Sequence, residues 1–322
     1  MKILVTGSAG FIGFHTASRL LDEGHEVVGL DNFNDYYAVA LKRARDALLR
    51  RRAGFSGVKC DLCDFRRLAR LFREEKFDAI CHLAAQAGVR YSLVNPFIYQ
   101  KSNNEGFVNV LEAGRRFGVK RLVYASSSSV YAGIRRLPFR ESDPVDKPIS
   151  LYAATKKFNE LAAHAYSHLY GMQTIGLRIF TVYGPWGRPD MAVWLFTEAI
   201  LRGKKIRVFN RGRMRRDFTY VDDVVSGIRA ALFGKNLPRN EVYNLGNHRS
   251  EKLKDFIRII SDCLGIKPRM ELLPLQPGDV KETYADIGKA RRDLGFRPKT
   301  ALSEGIPRFV NWYCAYKKNG SW

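Results

Sequence analysis

The chain has 322 residues, enough to bury a large core, and at 46% hydrophobic and 27% charged it has the make-up of an ordinary globular protein. No apolar run approaches the roughly 20 residues that span a bilayer, and the start runs straight into a strand rather than a signal peptide, so the expected location is the cytoplasm with no membrane span. The net charge of +22 would suit nucleic acid or anionic lipid, but no nucleic-acid motif accompanies it, and the clusters Arg43, Arg45, Arg50, Arg51, Arg52 and Lys204, Lys205, Arg207, Arg211, Arg213, Arg215, Arg216 read as solvated basic surface, in part serving an anionic substrate.

Lys2–Thr6 is a short apolar run that ends in glycines, the pattern of a buried parallel strand. Residues 11–23 follow as a helix stopped by Gly24, and 26–30 as the next strand, closed by Asp31. Asp61 and Leu62 end a further strand. Residues 79–83, 121–125 and 174–180 repeat the apolar pattern with helical stretches between them, and 242–245 returns late to the sheet. This alternation predicts an α/β fold, a doubly wound Rossmann-type parallel sheet with helices on both faces. Beyond Phe180 prolines and glycines interrupt the pattern. Residues 1–180 plus about 217–247 are therefore expected to form the dinucleotide-binding domain. About 181–216 plus 248–322 are expected to form a smaller α/β substrate-binding lobe.

Thr6-Gly7-Ser8-Ala9-Gly10-Phe11-Ile12-Gly13 joins the first strand to the first helix. Gly7 permits the tight turn, Gly10 lets the backbone approach a pyrophosphate, and Gly13 lets the helix pack on the sheet. Asp31 follows Gly13 by 18 residues and can bond both hydroxyls of an adenine ribose. It would repel a 2′-phosphate, so NAD is the expected cofactor rather than NADP. Asp61 and Leu62 should border the adenine.

Tyr152 and Lys156 lie four apart on a helix that starts after Pro148 and Ser150. A lysine ammonium there stabilises tyrosinate and draws the phenol towards general-base duty. The serines at 126–129 end a strand at the sheet's carboxyl edge, where ligands bind. Five cysteines, Cys60, Cys63, Cys81, Cys263 and Cys314, suit reduced thiols, with the Cys60/Cys63 pair read as core. His164 and His168 could share a metal, but no third ligand is evident, and no metal is expected.

Together these elements resemble the extended short-chain dehydrogenase/reductase family. The segments 82–92 (HLAAQAGVRYS), 125–131 (ASSSSVY), 180–191 (FTVYGPWGRPDM), 216–223 (RDFTYVDD) and 276–280 (QPGDV) look like those of UDP-glucuronate 4-epimerases. The resemblance implies NAD-dependent inversion of C4, converting UDP-glucuronate to UDP-galacturonate through a 4-keto intermediate, in a homodimer. It implies Tyr152, Lys156 and Ser127 as catalytic residues. Around the cofactor it implies Gly7, Gly10, Phe11, Ile12, Gly13, Asp31, Asn32, Asp61, Leu62, Leu83, Ala84, Ala85, Asn103, Ala125 and Phe180. Around the UDP-sugar it implies Arg90, Ser127, Ser128, Ser129, Thr181, Arg188, Phe209, Arg216 and Asp279. Arg188 is the candidate clamp for the sugar carboxylate, because a guanidinium grips a carboxylate with two bonds. Galactose-type epimerases have arginine where this chain has Gln276 and asparagine where it has Thr181, which speaks against UDP-glucose. Ala132 replaces a usual glycine and touches only local turn geometry. Dehydratases carry Asp-Glu where Ser128 and Ser129 stand, and UDP-glucuronate decarboxylases carry Glu in place of Ser129. An NAD-binding regulator is the non-catalytic alternative, against which Tyr152 and Lys156 speak.

Overall fold

The structure, a computed structural model, describes residues 1–275 and 280–318. Seven strands form a wholly parallel sheet: β1 Lys2–Thr6, β2 Glu26–Asp31, β3 Phe55–Lys59, β4 Ala79–His82, β5 Arg121–Ser127, β6 Gln173–Ile179 and β7 Asn240–Leu245. Their spatial order is β7-β6-β5-β4-β1-β2-β3, so the winding reverses between β1 and β4. Thr6 is in register with Leu30 on one side and His82 on the other, which levels the carboxyl ends of three strands around that reversal. Ligands bind in such crevices.

Helices cover both faces because the strands are apolar on both. Ile3 and Val5 point into one core with Phe11, Phe14, Ala17 and Leu20 of the helix Phe11–Asp22. Leu4 points into the other with Leu68, Phe72, Phe107 and Leu111. The expected strand 121–125 continues to Ser127 and 242–245 begins at Asn240, whereas the strand expected to end at Asp61 and Leu62 stops at Lys59, leaving those two residues on the loop that follows. Ser150 caps the helix Leu151–Tyr170 by accepting from the Ala153 N–H at 3.2 Å, the start that the sequence suggests.

Beyond Ile179 the chain makes three small pairings: Thr181–Tyr183 with Phe218–Tyr220, Arg215–Arg216 with Glu251–Lys252, and Ile206–Val208 with Met270–Leu272. Val182, Tyr183, Ile206, Val208, Phe218 and Tyr220 of these pairings join the first core, with Phe256 stacked on Phe218 at 4.3 Å between centroids, while Met270 and Leu272 stay exposed. No described helix is long and apolar enough to cross a membrane. Among the described residues no three His, Cys, Asp or Glu side chains converge as a metal-binding group. His164 bonds Asn240 across 3.1 Å, and Cys63 donates to the Lys101 carbonyl.

One expectation is corrected. Arg45 belongs not to a solvated basic face but to the interior, with no exposure at all. Its guanidinium donates to the Ala9 carbonyl (3.0 Å), the Tyr37 hydroxyl (2.9 Å) and the carbonyls of Trp186 (2.5 Å) and Gly187 (3.1 Å). A buried guanidinium needs such partners. Trp186 sits in the left-handed region (φ 59°) and its carbonyl takes part in this bonding. The remaining members of the first cluster are surface groups: Arg50 pairs with Asp46, and Arg52 with Asp22.

Candidate active site

A cleft of about 450 Å³ opens at the sheet's carboxyl edge. Its floor at the reversal point is the glycine turn. Gly7 has φ 72°, and a Cβ there would come within 2.8 Å of the Ala84 nitrogen. A Cβ on Gly13 would fall 2.0 Å from the Gly7 carbonyl oxygen, so only glycine lets the helix seat against the turn. Gly10, the N-cap, offers no side-chain cap, and the first turn carries no acid. Its N–H groups are left for a phosphate, which the helix dipole also favours.

Asp31 ends β2 beside this turn. Its carboxylate accepts from the N–H groups of Ala9 (3.2 Å) and Phe33 (2.8 Å), and burial pushes its pKa up. Two backbone bonds leave a carboxylate with lone pairs for two sugar hydroxyls. Asn32 donates to Asp61 at 3.1 Å, and Leu62 completes that wall. Thr6 Oγ1 accepts from the N–H groups of Leu83 and Ala84, both at 3.2 Å, so its single hydrogen goes to His82 Nδ1 at 2.9 Å. His82 is therefore a neutral structural histidine; burial and the neighbouring Lys156 lower its pKa to about 3.

On the opposite wall stand Tyr152 and Lys156. Lys156 is 2% exposed and donates to the Ala125 carbonyl at 2.8 Å. Burial lowers its pKa to about 8. Burial pushes the Tyr152 phenol up, and Ser127 and Arg188 oppose that push. Ser127 Oγ accepts from the N–H of Ser129 (3.2 Å) and from its hydroxyl (3.0 Å), leaving its own hydrogen to donate into the cleft. The strand ends here in a 3₁₀ turn, Ser128–Tyr131, which brings all three serines to the rim. Below them Ser126 donates to Glu160 at 2.7 Å, and Glu160 is gripped by Arg178 Nε and Nη2, each at 2.8 Å.

The structure gathers nearly every sequence-predicted residue into this one cleft: the glycine turn with Phe11 and Ile12, Asp31, Asn32, Asp61, Leu62, Leu83, Ala84, Ala85, Ala125, Ser127, Ser128, Ser129, Tyr152, Lys156, Phe180, Thr181, Arg90, Arg188 and Arg216. Asn103 does not line it. It lies on a π-helical turn, Gln100–Glu105, and both ends of its amide are spent on Gln86 backbone groups (2.7 and 3.0 Å) and on Thr155. Phe209 also stands back from the lining, its ring covered by the Arg90 guanidinium at 4.9 Å. Gln276 and Asp279 lie outside the described residues.

Sequence reasoning missed Gln86, whose buried Oε1 lies in the cleft wall with no hydrogen-bond partner among the described residues, although a lone amide in the apolar run 83–89 was a visible signal. It also missed Tyr36 and Asp190. Asp190 accepts from Arg188 Nε (3.0 Å) and Nη2 (2.5 Å), and from the Tyr36 hydroxyl (3.1 Å). No local pattern announces a contact between residues 154 apart.

A parallel doubly wound sheet with a glycine turn at its reversal point, an acid at the end of the second strand and a tyrosine–lysine pair defines a dinucleotide-dependent enzyme of the short-chain dehydrogenase/reductase type. More narrowly, the chain belongs to the NAD dependent epimerase/dehydratase family, whose pattern matches residues 3–246. NAD is its cofactor. The chain is 51% identical over 98% of its length to an uncharacterized protein of Methanocaldococcus jannaschii, 97% of which is covered. It is 48% identical to UDP-glucuronate 4-epimerase 4 of Arabidopsis thaliana, over 98% of this chain and 76% of that one. The solved structure of UDP-glucuronic acid 4-epimerase from Bacillus cereus, in complex with UDP-glucuronic acid and NAD, superposes with a TM-score of 0.92 at 34% identity, covering 98% of this chain and 100% of the other.

Proposed function

We propose that the protein converts UDP-glucuronate to UDP-galacturonate by inverting C4. The observation that carries the reading is a single cleft holding the glycine turn, the Tyr152–Lys156 pair and a guanidinium, Arg188, near enough to the Tyr152 phenol to oppose the effect of burial on it. On this reading the turn at 7–13 holds the pyrophosphate, Asp31 the adenine ribose, and Asp61 with Leu62 the adenine edge. Residues 1–180 with about 217–247 serve NAD, and about 181–216 with 248–322 serve the nucleotide sugar. Arg216 meets the diphosphate, where part of the positive charge offsets the ligand's negative charge, and Arg90 adds to the contacts of the sugar carboxylate.

Held at the glycine turn and by Asp31, NAD would supply the acceptor and then the donor of the C4 hydride, with no net redox change. The chain's own part is proton transfer and orientation. Tyr152 removes the C4 hydroxyl proton and gives it back to the same oxygen when the turned keto sugar is reduced, Ser127 shares that proton through a hydrogen bond, and Lys156 stabilises the tyrosinate in between. The 4-keto sugar is a β-keto acid, which loses carbon dioxide when its C5–carboxylate bond stands perpendicular to the carbonyl plane. Arg188, Ser128, Ser129 and Thr181 hold the carboxylate away from that geometry. The resemblance extends the proposal to a homodimer working in the cytoplasm.

The test is chromatography of UDP-glucuronate after incubation with protein and NAD, in parallel with Arg188→Ala. Wild type is expected to yield UDP-galacturonate. Loss of a charged partner from a buried pair costs about 2–5 kcal/mol. Arg188→Ala should therefore lose UDP-glucuronate turnover by that measure, lose little on a neutral UDP-hexose, and leak a UDP-4-keto-pentose detectable by mass spectrometry. Equal impairment on both sugars with no decarboxylated product would refute the carboxylate assignment.

A further inference from the structure

We infer that Asp190, held by Tyr36, is a positioning residue that orients Arg188 and thereby sets selectivity for an acidic sugar. The inference rests on the reading of Arg188 as the carboxylate partner and adds what aims it.

A guanidinium has two edges that can take a carboxylate in a fork, Nε–Nη2 and Nη1–Nη2. Asp190 occupies the first with both its oxygens. That leaves the Nη1–Nη2 edge for a ligand in the cleft that Arg188 lines. An arginine side chain left to itself samples many rotamers, and fixing it costs entropy at the moment of binding. Here that ordering is done in advance. Asp190 is itself fixed, because the Tyr36 hydroxyl donates to Oδ2. Tyr36 in turn packs on Tyr91 at 4.9 Å between centroids and closes over Gly88, where a Cβ would meet its hydroxyl oxygen at 2.7 Å. Arg188 also approaches the Tyr36 ring, at 5.9 Å.

The segment that carries Arg188 is anchored from the same side. His15 Nε2 bonds the Pro185 carbonyl at 2.8 Å, and Arg45 holds the next two carbonyls. Tyr36 lies a few residues beyond Asp31, on the loop after the cofactor-ribose strand. The group that meets the sugar acid is thus aimed from the half of the cleft that holds the dinucleotide. Against its burial, Arg188 chiefly, with a hydrogen bond from Tyr36, holds the Asp190 carboxyl below its ordinary range.

The experiment compares Asp190→Asn and Tyr36→Phe with wild type and Arg188→Ala, all as NAD-loaded protein. Calorimetry gives the affinities for UDP-glucuronate and UDP-glucose, and mass spectrometry the fraction of decarboxylated product. A misaimed group costs on the order of 10–100-fold. Asp190→Asn is expected to weaken UDP-glucuronate by about that factor, to leave UDP-glucose within about threefold, and to raise decarboxylation. Tyr36→Phe, which keeps the ring, should move the same ratio in the same direction by less. Equal weakening of both sugars would make Asp190 a structural residue and overturn the inference. Tighter binding of UDP-glucuronate to Asp190→Asn would mean that Asp190 competes with the substrate, and would overturn it too. Arg188→Ala separates the two levels. Selectivity lost in Arg188→Ala but kept in Asp190→Asn removes only the positioning role, whereas selectivity kept in Arg188→Ala removes the reading beneath it.

Discussion

Tyr152→Phe is expected to lower turnover of UDP-glucuronate by about 10²–10⁴-fold, the range for loss of a general base, while fold and NAD binding stay intact. On the proposed mechanism the phenol is, among the described residues of the cleft, the group that takes the proton. Lys156 donates to the Ala125 carbonyl as an ammonium, which has no lone pair to take a proton, and the hydroxyls of Ser127 and Ser129 bond one another. Burial disfavours both charged forms, raising Tyr152 and lowering Lys156 to about 8. Tyrosinate and ammonium are therefore each costly alone, and the proposed mechanism has each stabilise the other. The ring keeps its edge contact with Tyr99, at 6.0 Å between centroids, so phenylalanine fills the same space. Initial rates, with dinucleotide affinity by calorimetry, check the expectation. Wild-type-like turnover in Tyr152→Phe would remove the phenol from the chemistry.

The largest loss of stability is expected from Arg178→Met. Arg178 and Glu160 are 4% and 5% exposed in their side chains and share two bonds of 2.8 Å. Glu160 also accepts from Ser126, and Arg178 from its other side donates to the Tyr131 hydroxyl at 2.8 Å. Removing the cation leaves the buried carboxylate with Ser126 and, at 3.8 Å, Lys157 alone, and breaking a buried pair in this way costs about 3–5 kcal/mol. Urea unfolding should show a drop of that size. The double variant Glu160→Gln, Arg178→Met should recover part of it, because an uncharged amide tolerates burial better than a lone carboxylate. A loss below about 1 kcal/mol in Arg178→Met would mean that the pair is solvated rather than buried.

The glycine turn was legible because its spacing is its geometry: a Cβ at 7 or 13 has nowhere to go, and only three glycines meet that demand. The Tyr152–Lys156 pair was legible because helical periodicity puts i and i+4 on one face. The seven strands announced themselves as apolar runs, although β3 is partly exposed along its length and shows a weaker pattern. What stayed hidden depends on partners far along the chain. Arg45 sits among five arginines within ten residues, and nothing local distinguishes the one that turns inward. Its bonding to Trp186 and Gly187 spans more than 140 residues. Asn103 and Phe209 were placed at the site by family likeness, and that likeness does not show how an amide is spent or which cation covers a ring.

Arg45 also bears on how such an enzyme could be re-engineered. Transplanting residues 184–191 from a relative that accepts a different sugar looks like a self-contained exchange of one recognition loop. The loop's backbone is held by a guanidinium from elsewhere, however, and that same guanidinium reaches the Ala9 carbonyl inside the glycine turn. Lysine at 45 would present one compact ammonium where a planar fork now serves four acceptors. A donor loop with its carbonyls arranged differently would leave Arg45 searching for partners within the interior. A successful graft must therefore carry residue 45, and the Tyr36–Tyr37 pair beside it, as part of the transplanted unit.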